Sequence, residues 1–199
     1  MTAPRGRPRS EDARRAILRA ALELCARDGY QDLTIKSIAD TAGVGRQTVY
    51  RWWPDKASVL LEALIDVGNE HRAELAPPAS ADVLGAVELL LRTTFELARK
   101  VTGQALVGLM ADAQRDPELS KRLQDTVIGP RRAVLRALLQ DGVDAGDLTA
   151  TVPLDLVVDF AFGAMWYRML SHHAPVDAAL AREVTTAIGA MLNTAMPNS

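Results

Sequence analysis

The stretch from Leu33 to Lys56, LTIKSIADTAGVGRQTVYRWWPDK, constrains this chain more than any other. Its spacing predicts two short helices joined by a tight turn. Thr34 is placed to cap the first, because a threonine oxygen accepts a bond from a backbone N–H that has no partner inside the helix. Ile35, Ile38 and Ala39 then share one face, with Lys36, Ser37 and Asp40 directed away from it. Gly43 supplies the left-handed residue that closes a helix. A second helix is expected from Gly45 or Arg46 to about Trp52, with Val49 and Trp53 inward and Arg46, Gln47, Thr48, Tyr50 and Arg51 outward. Two helices linked by a short glycine-containing turn make a helix-turn-helix, whose second helix can enter a major groove. The outward residues suit that use. Arginine bonds guanine and glutamine bonds adenine in bidentate fashion, while threonine and tyrosine hydroxyls reach phosphates. On an isolated short helix such a face is most often only a solvated surface. Here cap, turn, apolar spacing and polar face all agree.

The same residues carry a family resemblance. Thr34-x-x-x-Ile38-Ala39-x-x-Ala42-Gly43-Val44 is followed by Thr48-Val49-Tyr50, the pair Trp52-Trp53, and Pro54-Asp55-Lys56. With Ala16-Ile17-Leu18, Ala20-Ala21 and Gly29-Tyr30 upstream, this segment resembles the DNA-binding segment of the TetR family of bacterial transcriptional regulators. The resemblance implies an all-helical homodimeric repressor with a small-molecule pocket in a larger C-terminal domain, and a phosphate contact for Lys56. Gly45 departs from the serine or threonine that many members carry there, and Trp53 from the commoner phenylalanine. Glycine costs only a few tenths of a kcal/mol as a cap, but it lacks a hydroxyl for a phosphate.

Charge is divided along the chain. The net value of −2 argues against nucleic acid, yet residues 1–56 hold 11 Lys+Arg against 7 Asp+Glu, and the remainder is acidic at −6. A basic head on an acidic body fits contact with phosphate at one end. Residues 1–10 alternate arginine with proline and glycine and are read as a disordered basic arm, with Arg5, Arg7 and Arg9 available to a minor groove or to phosphates. Residues 11–75 are read as the DNA-binding domain of three helices, the first from about Glu11 to Arg27, with a long fourth helix from Lys56 reaching into the body. Lys56 in the first turn of that helix suits a bound phosphate.

Residues 76–199 are read as a helical bundle for ligand binding and dimerisation, giving about nine helices in an all-α chain. The segment from about Leu154 to Ser171 is apolar or aromatic nearly all round. A helix of that kind has to be covered on every side, and a second subunit is the simplest cover. The last helix, about Asp177 to Met196, has a stripe of Leu180, Val184, Ala187, Ile188, Met191 and Leu192. These last two helices are expected to pair with their copies in a homodimer. Gly163, Ala161 and Gly189 permit close approach.

Nothing points to catalysis. Cys25 is the single cysteine and falls on the apolar face of the first helix, where a buried, inert thiol is expected. His71, His172 and His173 lack metal-ligand spacing, and no phosphate loop, nucleophile elbow or dinucleotide fingerprint is present. No enzyme, metal or cofactor is expected. The N-terminus reads as no secretory signal, and no apolar run approaches the ~20 residues of a membrane span, so a cytoplasmic protein is expected.

The resulting expectation is a DNA-binding regulator of a pseudo-palindromic double-stranded operator. DNA contacts are assigned to Thr34, Lys36, Gly45, Arg46, Gln47, Thr48, Tyr50, Arg51 and Lys56. Release follows from a small, mainly apolar effector held by Phe95, Leu106, Met110, Phe162, Met165, Trp166 and Met169. Methionine and tryptophan are of the kind that line apolar pockets, though each of these seven also suits a plain core. The alternatives are a DNA-binding regulator without a small ligand, and a helical interaction module or enzyme that does not bind DNA.

Overall fold

The computed structural model describes residues 8–71 and 82–193, and every described element is helical. In chain order these are α1 (Pro8–Asp28), α2 (Ile35–Thr41), α3 (Arg46–Tyr50), α4 (Lys56–Glu70), α5 (Val83–Leu97), α6 (Gly103–Ala113), α7 (Pro117–Leu123), α8 (Gly129–Asp144), α9 (Leu154–Ser171) and α10 (Ala178–Asn193). A π-helical turn at Ala98–Thr102 runs α5 into α6, and another at Gln124–Ile128 runs α7 into α8. The described helix thus falls into eight continuous runs, close to the nine expected. The second π-turn has a chemical reason. Pro130 lacks an N–H, and inside a tight helix its ring collides with the carbonyl four residues back. Widening the turn removes the collision. The wide turn in its turn requires Gly129, whose Cβ would stand 2.7 Å from the Gln124 carbonyl oxygen. The basic arm lies almost wholly outside the described residues, as does the boundary expected near Leu75. α1 begins three residues before the expected Glu11, with Pro8 at its first position, where a missing N–H costs nothing.

The helices form two compact units. The first contains α1–α4 with α6 and α7; the second contains α5 and α8–α10. In the first, Ile17, Ala20, Ala21, Leu24 and Cys25 of α1 meet Ile38 and Ala39 of α2, Val49 of α3, Trp53, and Val59, Leu60 and Leu64 of α4, all buried. α6 adds Ala105 and Leu109, and α7 adds Leu119 and Leu123. Burial pushes the Cys25 thiol up to about 11, against a weaker opposing pull from Lys56. The thiol is therefore neutral and enclosed, and the native protein is expected to leave it unmodified by an aromatic disulfide reagent at pH 8, with full reaction on denaturation. Since the thiol's pKa is higher folded than unfolded, its contribution to stability is complete below the unfolded value near 9. It is lost as pH rises from there toward about 11.

In the second unit, Val87, Leu90, Leu91 and Phe95 of α5 pack with Leu135 and Leu139 of α8, Val157, Ala161, Phe162 and Met165 of α9, and Leu180, Val184, Ile188 and Leu192 of α10. Asp82 caps α5, its Oδ1 accepting from Gly85 N at 2.6 Å. α9 ends on His172 in the left-handed region (φ 53°), its N–H donating to Arg168 O at 2.9 Å. α9 is not enclosed on every side by its own chain. One face enters the core, while Leu156, Phe160, Tyr167 and Leu170 are 57, 46, 66 and 61% exposed. Among the described residues no helix is long and apolar enough to cross a membrane.

Candidate nucleic-acid interface

The helix-turn-helix is built from local bonds that the sequence specifies. Thr34 Oγ1 accepts from Ser37 N at 3.0 Å, and Ser37 Oγ accepts from Thr34 N at 3.1 Å, so each residue satisfies an amide of the other. The closing turn places Gly43 at φ 68° and lets Val44 N donate to Ala39 O at 3.0 Å. A side chain at position 43 would be strained there. α3 opens on Gly45, extended at φ −74° and ψ 145°, with no side-chain cap and open space where a Cβ would stand.

α3 is short, and its attachment is what gives it a fixed direction. Val49 is fully buried beneath it, and Trp53 N donates to Val49 O at 3.0 Å as the chain leaves. The indole of Trp53 is 3% exposed and donates from Nε1 to Glu62 Oε2 at 2.6 Å. The other oxygen of Glu62 accepts from Arg14 Nε at 2.7 Å, and Arg14 closes a two-pronged pair with Asp66 at 2.9 and 3.0 Å. Bonding to Asp66, then to Glu62, holds the Arg14 guanidinium above the usual arginine range. One chain of bonds thus ties α1 and α4 to the residue that ends the recognition segment. This accounts for tryptophan at position 53: the ring N–H has an acceptor waiting, which phenylalanine would not use. Arg14, Glu62 and Asp66 are absent from the sequence-based assignment. The available signal was a buried indole that had to find an acceptor.

Of the nine residues assigned to DNA, Arg46, Gln47, Tyr50 and Arg51 are exposed and lie together on and beside α3, with Thr48 half-buried at their edge. Tyr50 is 52% exposed, and the Arg51 guanidinium stacks 5.4 Å from the Trp52 ring centre. Gly45 is exposed at the start of the same helix. Lys36 is exposed on α2 and pairs with Asp40 at 2.8 Å, an exposed pair that a phosphate could replace at little cost. Thr34 spends its hydroxyl oxygen on the cap. Lys56 is half-buried at the start of α4: Nζ donates to Tyr30 O at 2.7 Å and Gln31 O at 3.2 Å, and stands 4.5 Å from the Tyr30 ring centre. Its structural task is to fasten the start of α4 to the loop after α1. Asp55 caps α4, accepting from Ser58 N at 2.7 Å.

The residues assigned to a ligand divide between the units. Phe95, Phe162 and Met165 are in the core of the second unit, with Trp166 and Met169 half-buried against it. Leu106 and Met110 are half-buried on α6, in the first unit.

Comparison with known proteins agrees with this geometry. Residues 17–63 match the family model for bacterial regulatory proteins of the tetR family. Residues 70–188 match the model described as tetracyclin repressor-like, C-terminal domain. An uncharacterised helix-turn-helix regulator of Bacillus subtilis, YdeS, is 29% identical over 187 residues, covering 92% of this chain and 91% of that one. The DNA-binding transcriptional repressor TetR of Mycobacteroides abscessus is 29% identical over 176 residues, covering 86% and 88%. Among solved structures, the TetR family regulator SCO0332 is 27% identical with a TM-score of 0.69, covering 90% of this chain and 98% of that one. FadR of Bacillus subtilis, solved with stearoyl-CoA, has the same fold at a TM-score of 0.71 and 19% identity, covering 89% and 98%. A capped and braced helix-turn-helix, matched with a C-terminal model spanning more than half of the sequence, places this chain in the TetR family of helix-turn-helix transcriptional regulators.

Proposed function

We propose that this protein is a homodimeric repressor that binds a pseudo-palindromic double-stranded operator and leaves it when a small, mainly apolar effector enters its C-terminal domain. Residues 11–75 read DNA; residues 76–199 bind the effector and pair the subunits. The exposed cluster of Arg46, Gln47, Tyr50 and Arg51 on a braced recognition segment is the observation that carries the DNA-binding half. Pairing is supported by Leu156, Phe160, Gly163, Tyr167 and Leu170, which repeat at intervals of four and three along the exposed side of α9. That is the spacing of a helix–helix seam. Two such subunits would place their recognition helices in successive major grooves, ~34–36 Å apart. The relative named a repressor supports repression, and the neighbour solved with stearoyl-CoA supports a ligand with a long apolar part. The protein works in the cytoplasm, where its operator is.

The test is to select bound DNA from a random pool, then measure the selected site against the triple variant Arg46→Ala, Gln47→Ala, Tyr50→Ala. Each lost base contact removes about 1–3 kcal/mol of discrimination, so operator affinity should fall by at least ~100-fold with the fold intact by circular dichroism. Lys56 is left out of this variant because its removal would free two backbone carbonyls. Affinity should also fall steeply with salt, by about 0.9 log units per tenfold salt for each phosphate neutralised. Unchanged affinity in the triple variant, or a flat salt response, would refute the DNA-reading surface.

A further inference from the structure

Three arginines in the first half of α8 meet two kinds of surroundings. Arg132 pairs with Asp159, and Arg136 Nε lies 3.2 Å from Asp155 Oδ1, so both answer carboxylates on α9. Arg131 sits one turn before Leu135 and two before Leu139, on the stripe that α8 presents to the core. The sequence pattern had turned it outward with the other two; the structure half-buries it. Its bond is to a neutral group: Nη1 donates to Thr94 Oγ1 at 2.9 Å, and that hydroxyl itself donates to Leu90 O at 2.8 Å. No acid among the described residues forms an ion pair with Arg131. Burial pulls it below the ordinary arginine value, with no opposing contribution from a carboxylate.

A guanidinium on an apolar stripe is costly unless paired, and this one offers a planar fork with most of its donors uncommitted. It is fixed by Thr94, next in sequence to Phe95, on the same helical bundle that holds Phe162, Met165 and Trp166. That fork matches a carboxylate or phosphate in bidentate fashion. We propose that Arg131 anchors the anionic head group of an otherwise apolar effector, so that the regulator responds to amphipathic acids rather than to neutral apolar molecules. This deepens the ligand-released reading above and rests on it.

The test uses the full-length protein and four probe types, each over a range of chain lengths: alkyl carboxylates, alkyl phosphates, the methyl esters of the same acids, and the corresponding alcohols. Binding is followed by titration calorimetry, and release by loss of the selected operator complex. The anions should bind at least tenfold more tightly than ester or alcohol of equal length, and carboxylate against phosphate identifies the head group. Arg131→Gln should abolish that preference, bringing the acids to the affinity of their esters. Arg131→Met should raise the melting temperature without ligand, because a half-buried charge with no acidic partner is replaced by an apolar chain. Esters that bind as well as acids, or a preference that survives Arg131→Gln, would overturn the proposal and leave the apolar ligand in place. A fall in melting temperature with Arg131→Met would overturn it by making Arg131 structural. Failure of all four probe types to bind or release would sink the ligand-released reading and this proposal together.

Discussion

Replacing Phe160 and Tyr167 together by glutamate should convert the protein to a monomer that binds its operator at least ~100-fold more weakly. Both side chains are exposed on α9, at 46 and 66%, and neither belongs to the buried core of its own subunit. Burying an aromatic side chain of this size contributes roughly 1.5–3 kcal/mol. Two per subunit, doubled by symmetry, exceed what most interfaces can lose, and the glutamates add four buried like charges. Gly163 lies between them on the same stripe, with open space where its Cβ would stand, so a partner helix can approach closely there. Losing the pair converts two-headed binding into single half-site binding, and linked binding of this kind is worth 10²–10⁴ in affinity. The measurements are sedimentation equilibrium and operator titration. Because paired subunits can be unstable apart, Phe160→Ser provides a milder check: it should shift dimerisation to higher concentration without unfolding the chain. A double variant that remains dimeric would place the subunit interface on another face.

The helix-turn-helix was legible in the sequence because its determinants are local. Thr34, Gly43 and the Ile35–Ile38–Ala39 face act within a turn or two of where they stand, and the structure uses each as its position suggests. Residues whose role depends on distant partners were not legible. Nothing near Lys56 in the linear chain pointed to the carbonyls of Tyr30 and Gln31, some 25 residues away, which its ammonium bonds in the structure. Arg131 belonged by pattern with Arg132 and Arg136; only the packing of α5 against α8 separates it from them. Leu106 and Met110 were assigned to a ligand from the sequence, which carries no information about which compact unit their helix enters. α9 was read as apolar all round and covered by a second subunit; the described chain buries one face of it and leaves Leu156, Phe160, Tyr167 and Leu170 exposed. Which of its sides the chain itself covers became visible only with the other helices in place.

Gly108→Ala should be among the most damaging single-methyl additions available to this fold. A Cβ on Gly108 would stand 2.1 Å from Tyr30 Cγ and 2.5 Å from Tyr30 Cβ. The second distance matters more, because Tyr30 Cβ moves only with the backbone and no change of side-chain rotamer relieves it. The ring is also held at its far points. Its hydroxyl donates to Asp112 one turn further along α6, and the Lys56 ammonium sits over its face. Burial, and then the bond to Asp112, hold the phenol well above its usual titration range, so the contact persists across the whole working pH range. α6 must therefore move away from the loop after α1, which breaks the hydrogen bond from Tyr30 to Asp112. Forced overpacking costs about 1–3 kcal/mol and sometimes more, which for a chain this size lowers the melting temperature by about 2–12 °C. Operator affinity should fall as well, because Tyr30 and Lys56 fix the start of α4 immediately after the recognition segment. Gly68→Ala is the matched control. It adds the same methyl to α4 where nothing lies within 4 Å, and should stabilise by up to about 1 kcal/mol through helix propensity. Equal melting temperatures for the two variants would mean that α6 does not lie against Tyr30.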